Sequence, residues 1–236
     1  MEYGEIIELG PHRLMCGDAT KRDDVERLID GDSVDLVLTD PPYGMRGKAQ
    51  HADGRVGRSR KFPAHYYPLI IGDENQDTAR KHYEIIKDFT DKLIIWGGQY
   101  FAHFLPINGG WIFWDKRNGK TDFSDGELAW KSWGNKLMRY EHLWNGLYRK
   151  GNTLLNGRTR VHPTQKPVEL HMNILQDFSE PGDIVLDCFG GSGTTLIACE
   201  QVGRRCFMME LSPEYCGIII ERYMKVTQQA KLFKEE

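Results

Sequence analysis

The chain is expected to fold as an α/β protein, a doubly wound and mostly parallel sheet with helices on both faces. Three observations carry that expectation. Short apolar runs alternate with segments of helical spacing. A strand, a glycine turn and a helix follow one another through Asp187-Cys188-Phe189-Gly190-Gly191-Ser192-Gly193-Thr194-Thr195. An apolar strand near the N-terminus stops at Asp40-Pro41-Pro42-Tyr43, because two prolines cannot donate to a central ladder. At 236 residues, 40% hydrophobic and 28% charged, the chain suits a single globular domain over 1–236.

The elements follow in order. Residues 14–16 read as a short strand ending in Gly17-Asp18, residues 23–29 as a short helix and 34–39 (VDLVLT) as a buried strand. Residues 44–75 are glycine-rich, basic and weakly periodic, the signature of a long loop insertion. The spacing of Tyr83, Ile86 and Phe89 predicts a helix over 78–91. Residues 93–96 and 111–114 read as buried strands. Residues 115–165 mix glycine, asparagine and basic residues with Trp130, Trp133, Trp144 and Tyr148, and read as an irregular region with a few strands. A helix over 167–178 opens with proline in its first turn. A strand over 184–187, a helix over 194–201 and a strand over 205–210 complete the alternation. Ser212-Pro213-Glu214 then offers a cap, a first-turn proline and a dipole-matched acid to a long helix reaching residue 228.

Composition excludes several classes. No apolar run reaches the ~18 residues of a membrane span. The acidic N-terminus, MEYGEIIELG, lacks a signal-peptide core, so a cytoplasmic location is expected. The five cysteines (Cys16, Cys188, Cys199, Cys206, Cys216) form no CxxC pair and read as small apolar core residues; no metal is expected. The net charge of −3 gives no global sign of a polyanionic partner, but its distribution does. Residues 45–61 hold six basic side chains (Arg46, Lys48, Arg55, Arg58, Arg60, Lys61) against Asp53 alone. Residues 149–166 hold five (Arg149, Lys150, Arg158, Arg160, Lys166) and no acid. Such segments can track a phosphate backbone, although charge runs are commonly solvated loops.

Two constellations carry chemistry. The glycines after Asp187 let the backbone approach a ligand, and Glu210, at the end of the next strand, is placed to hold ribose hydroxyls. Asp187 itself would repel a pyrophosphate and attract the ammonium and sulfonium of S-adenosylmethionine, which favours that cofactor over a nicotinamide dinucleotide. Asp40-Pro41-Pro42-Tyr43 would face the same crevice, at the carboxyl ends of the strands. A base amino group is a poor nucleophile because its lone pair is delocalised into the ring. A carboxylate and a backbone carbonyl accepting its two N–H bonds favour the nucleophilic form. The prolines stiffen those acceptors and Tyr43 can stack on the base. A base inside a duplex cannot reach such a pocket without flipping.

In this order and spacing the motifs resemble the amino-methyltransferases of DNA, the adenine-N6 and cytosine-N4 enzymes, over nearly the whole chain. Asp40-Pro41-Pro42-Tyr43 is similar to their catalytic motif, and 187–195 to their cofactor motif. His162-Pro163-Thr164-Gln165-Lys166-Pro167 matches the segment before the cofactor helix. The resemblance implies that polar groups there, Lys166 among them, help hold the methionine carboxylate. It implies that Asp18 bonds the cofactor's adenine amine, that Glu210 bonds the ribose, and that Phe189 borders the cofactor. The order, catalytic tetrapeptide first and cofactor glycines last, resembles the permuted beta group, with a Rossmann-like sheet whose first two strands have moved to the C-terminus.

In that group target recognition lies between the two motifs, here within 115–165. The stretch 144–161 is short for it, so recognition falls there or on the basic loop 44–75, with Arg58, Arg60, Arg158 and Arg160 the candidates for phosphate contact. Trp96-Gly97-Gly98-Gln99-Tyr100 either walls the target pocket or belongs to the core. The function implied is a DNA adenine-N6 methyltransferase, since Asp at position 40 leans to adenine where Ser would lean to cytosine. The alternatives are a cytosine-N4 enzyme, an RNA amino-methyltransferase and a non-catalytic DNA-binding module. The partners implied are DNA with a flipped base, a homodimeric copy and a restriction endonuclease.

Overall fold

Among the described residues of the computed structural model, thirteen segments are strands: β1 (Ile6–Leu9), β2 (His12–Cys16), β3 (Leu36–Thr39), β4 (Arg55–Val56), β5 (His65–Tyr66), β6 (Leu93–Trp96), β7 (Gly110–Asp115), β8 (Gly126–Lys131), β9 (Leu137–Glu141), β10 (Trp144–Asn145), β11 (Tyr148–Arg149), β12 (Ile184–Asp187) and β13 (Arg205–Glu210). The helices are α1 (Arg22–Ile29), α2 (Asp77–Ile86), α3 (Thr153–Asn156), α4 (Val168–Phe178), α5 (Thr194–Val202) and α6 (Pro213–Leu232), with a 3₁₀ turn over Gly98–Tyr100. The structure describes residues 1–44, 55–56, 65–66, 72–107, 109–119, 124–145, 148–157, 161–162 and 164–232. Arg58, Arg60, Arg158 and Arg160 lie outside the described residues.

Nine of these strands join one sheet in the order β1-β2-β13-β12-β3-β6-β8-β7-β9. From β2 to β6 every pairing is parallel. β8 runs antiparallel between β6 and β7, and β1 runs antiparallel along β2 at the edge. The C-terminal strands β12 and β13 thus lie inside the sheet, between the N-terminal β2 and β3. This is the permuted, Rossmann-like arrangement expected. β12 connects through α5 to β13 on one side, whereas β3 leads to β6 on the other. The strand order reverses between β12 and β3, which is where an open α/β sheet leaves a crevice at its carboxyl edge.

The period-2 alternation of the buried strands feeds two cores. Leu36, Leu38, Val185, Cys206 and Met208 pack under α4, α5 and α6. Val37, Leu186, Phe207 and Met209 pack under α1 and α2 on the opposite face. Trp96 and Trp114, both fully buried, meet edge to face at 6.3 Å and fix β6 against β7 across the sheet. The five cysteines are all buried. No helix among the described residues is long and apolar enough to cross a membrane.

Three elements differ from expectation. The second helix ends at Ile86, because Phe89 keeps the apolar period but packs back from a turn. Pro167 is the N-cap of α4, with ψ 138°, and not its first helical residue. The loop 44–75 contains the two-residue ladder β4–β5.

Candidate active site

The crevice at the strand-order reversal is a cavity of about 340 Å³. It is lined by Asp18, Asp40, Pro41, Pro42, Tyr43, Lys166, Asp187, Phe189, Gly190, Gly191, Ser192, Thr194 and Glu210. All the catalytic and cofactor residues expected from the sequence therefore converge there except Gly193. That residue sits at φ 78° as the N-cap of α5, where an added Cβ would press on Ile219 at 3.1 Å. Its task is to start the helix, one step back from the cavity wall.

Asp187 ends β12 and Asp40 follows β3, its parallel neighbour. Thr39 ties the two motifs together by donating to Asp187 Oδ1 at 3.0 Å. Thr195, in the first turn of α5, donates to Oδ2 at 2.6 Å, and the Phe189 amide to Oδ1 at 3.1 Å. All three donors are neutral. Burial outweighs them and drives the Asp187 carboxyl up to about 7. A buried carboxylate held by neutral donors beside a cavity suits a cationic ligand, which would restore its charged form.

Glu210 ends β13 on the other flank of the glycine turn. Its Oε2 accepts from the Gly191 amide at 2.7 Å and its Oε1 from the Ser212 amide at 2.9 Å. Burial raises this carboxyl too. Asp18 Oδ1 accepts from the Thr20 amide at 2.9 Å and hydroxyl at 2.7 Å, fixing the loop after β2 against the cavity. The loop is held from behind by Asp24, which accepts from the Asp18 amide at 3.0 Å. A buried acid at Asp187 and a half-buried one at Glu210, with a bare glycine turn between them, fit an adenosyl group carrying a cationic amino-acid tail.

The tetrapeptide Asp40–Tyr43 is pinned from both sides. Tyr43 donates to Asp40 Oδ1 at 2.6 Å, and the Lys166 ammonium pairs with Oδ2. Lys166 is almost fully buried and also faces Glu127 Oε2 at 3.4 Å. Its ammonium is thus committed to Asp40 and Glu127. Burial alone would depress it, but the two carboxylates outweigh burial and raise its pKa. Tyr43 stacks on Tyr100 at 5.1 Å and meets Phe101 edge-on at 6.0 Å, so the segment after β6 backs Tyr43 without itself lining the cavity. Trp96 itself belongs to the core. His162 accepts from the Thr164 amide at Nδ1, and burial, helped by Lys166, pushes it down to about 3, so it stays neutral at ordinary pH.

Gly97 is what lets Tyr43 lie there. It adopts φ 71°, and an added Cβ would stand 2.2 Å from Tyr43 Cε1. Gly97→Ala is expected to cost about 2 kcal/mol of stability and to slow turnover by moving Tyr43, with cofactor affinity unchanged. Thermal unfolding beside a cofactor titration checks both.

Sequence reasoning quotes Thr195 in the cofactor motif without giving it a role, and misses Glu127, Thr39 and Asp73. The last accepts from the Gly44 amide at 2.7 Å and closes the chain after Tyr43. Thr39 is legible in principle, since it adjoins the tetrapeptide. Nothing near Glu127 in the sequence marks it.

Known proteins share this chain's pattern. The N6/N4 DNA methylase family model matches residues 34–221. The type II methyltransferase M.HpaI of Haemophilus parainfluenzae is 24% identical over 89% of this chain and 73% of its own. M1.MboII of Moraxella bovis is 24% identical over 86% of this chain and 92% of its own. Among solved structures, the M1.HpyAVI–SAM complex aligns with a TM-score of 0.57 at 23% identity, over 89% of this chain and 97% of that one. The PvuII DNA methyltransferase, cytosine-N4-specific, aligns with a TM-score of 0.59 at 17% identity, over 96% and 94%. The structural likeness establishes the fold, and the family match over most of the chain establishes the lineage: this chain belongs to the N6/N4 family of DNA methylases.

Proposed function

We propose that the chain is a DNA adenine-N6 methyltransferase that takes its methyl group from S-adenosylmethionine. The observation that carries this reading is Asp40. An aspartate, with the carbonyl of Pro41 beside it, faces the same cavity as the Asp187 and Glu210 acids. In this reading Asp187 and the glycine turn hold the amino-acid end of the cofactor, Glu210 its ribose and Asp18 its adenine.

The cofactor supplies an electrophilic methyl on a sulfonium. The chain's own residues do the rest. Asp40 and the Pro41 carbonyl accept the two N–H bonds of the target amine, localising its lone pair. S-adenosylmethionine, held by Asp187, the glycine turn and Glu210, would supply the methyl to that nitrogen, its sulfur keeping the electron pair of the bond given up. The proton then leaves the nitrogen for solvent. Positioning and electrostatics supply most of the acceleration. Tyr43 releases Asp40 as the amine arrives, and its ring packs against the flipped base. β8 and β9 occupy the middle of 115–165 as sheet strands. We assign DNA contact to 144–161, with Arg158 and Arg160, together with the basic loop 44–75, with Arg58 and Arg60.

The Asp187 carboxyl gives a pH dependence. Its pKa in the free protein is about 7, and a cationic ligand needs the ionised form. Lowering the pH from 8 to 6 is therefore expected to weaken cofactor affinity by about tenfold, read by calorimetric titration. An affinity flat across that range would remove Asp187 from the cofactor's cationic end.

The test of the base is direct. The protein is incubated with S-adenosylmethionine and mixed-sequence DNA, which is digested to nucleosides and analysed by mass spectrometry. N6-methyladenine is expected. N4-methylcytosine would overturn the choice of base and leave the chemistry standing.

A further inference from the structure

We infer that Glu127 is a positioning residue for methyl transfer: it holds the Lys166 ammonium between two carboxylates and so keeps Asp40 oriented as the amine reacts. The inference rests on the proposed function and deepens it.

Glu127 reaches the site through β8, the antiparallel strand between β6 and β7. β8 begins at the carboxyl edge of its neighbours, opposite Trp114 near the end of β7, so its second residue stands at the same edge as Asp40. Its Oε2 lies 3.4 Å from Lys166 Nζ, and its Oε1 lies 2.6 Å from Lys116 Nζ. The Lys166 ammonium, 5.0 Å from the Trp96 ring centre, is therefore shared. Lys116 balances the Glu127 charge from its far oxygen, so the four groups are neutral together and the Lys166 ammonium is held between the two carboxylates. A nitrogen acquiring a methyl group becomes positive, and the Asp40 carboxylate, fixed by that shared ammonium, is aimed at the developing charge. Without the Glu127 charge, Lys166 would face Asp40 alone, neutralise it, and compete with the amine for its oxygens.

Other groups around Lys166 do not take over this task. Tyr43 donates to Asp40 and carries no charge. His162 and His171 are each driven down to about 3 by burial, with Lys166 adding to the effect, and are neutral. Asp187 is engaged by Thr39 and Thr195. Lys116 sits on the far oxygen of Glu127 and holds it in place.

The test compares the full-length wild type, Glu127→Gln and Glu127→Asp in single-turnover methylation of mixed-sequence DNA, with cofactor titration and thermal unfolding of each. Glu127→Gln is expected to slow transfer by about tenfold or more, with cofactor affinity and Tm close to wild type. Its alkaline rate limb should move to lower pH, since Lys166 has lost one of its two anions. Glu127→Asp, which retains the charge, should recover most of the rate. An unchanged rate in Glu127→Gln, a Glu127→Asp variant equally slow, or a rate that falls only in step with Tm and cofactor affinity would each overturn the inference. A wild type that binds cofactor yet methylates no DNA would instead overturn the proposed function, and this inference with it.

Discussion

Replacing Asp40 with alanine is expected to slow methyl transfer by about 10²–10³-fold, the usual cost of removing a preorganised group that acts on the transition state. Cofactor affinity should stay close to wild type, because Asp40 follows β3 whereas Asp187 and Glu210, the acids proposed to hold the cofactor, end β12 and β13. The fold should survive as well. Removing one partner of a buried ion pair normally strands the other charge, but here Lys166 keeps Glu127. Asp40→Asn separates charge from shape. It retains the side-chain outline and one acceptor oxygen but presents an amide N–H₂ and no charge, so it should be nearly as slow as alanine. The expected signature is a loss in kcat with little change in the cofactor's dissociation constant, which marks an interaction made in the transition state. Equal turnover in either variant would remove Asp40 from the chemistry.

Asp187→Asn should do the reverse. Losing a buried carboxylate that faces a cationic ligand costs about 2–5 kcal/mol of binding, or roughly 30-fold to 4,000-fold in affinity. The free protein, however, should become more stable. Burial holds the folded carboxyl up to about 7, against the ordinary value of 3.8 in the unfolded chain. The folded state thus favours the neutral acid. The stability this gives is fully present below pH 3.8 and is lost as the pH rises to about 7. Above pH 7 the wild type carries the whole penalty and the asparagine variant carries none. A higher Tm without cofactor, together with a lost Tm increment on adding it, is the expected pair of readings. Such opposition of stability and binding is common where a site stores an unfavourable buried charge. A variant that binds S-adenosylmethionine normally would contradict the assignment of this acid.

The fold is legible in the sequence where chemistry is local. β12 and β13 stand at the residues their apolar runs mark, and α5 starts at Thr194 because Gly193 can adopt a left-handed turn. The sequence alone brings Asp40, Asp187 and Glu210 together, because each stands where an apolar strand stops and parallel strands deliver their last residues to one edge. Less is legible where the information is non-local. β1 is a short edge strand whose pattern, Ile6-Ile7-Glu8-Leu9, gains meaning only when paired with β2. Pro167 fits a first helical turn by its φ alone; its extended ψ, set by the approach of 164–166 to the cavity, makes it the cap.

Lys166 reads from its place in a motif as a ligand for the cofactor's carboxylate. In the free protein it also contacts Asp40 and Glu127. No local pattern could reveal that. Glu127 adjoins none of the motifs in sequence, and it reaches Asp40 and Lys166 only because β8 inserts antiparallel between β6 and β7. A residue delivered by such an insertion is chemically silent in the sequence and electrostatically prominent in the fold.

If the crevice between β12 and β3 transfers a methyl group to DNA through Asp40, a radiolabelled methyl should pass from S-adenosylmethionine to duplex DNA with the wild type. With Asp40→Ala, shown beforehand to bind the cofactor as the wild type does, almost no label should reach the DNA. Label that never leaves the cofactor, or that reaches DNA equally with both proteins, would contradict it.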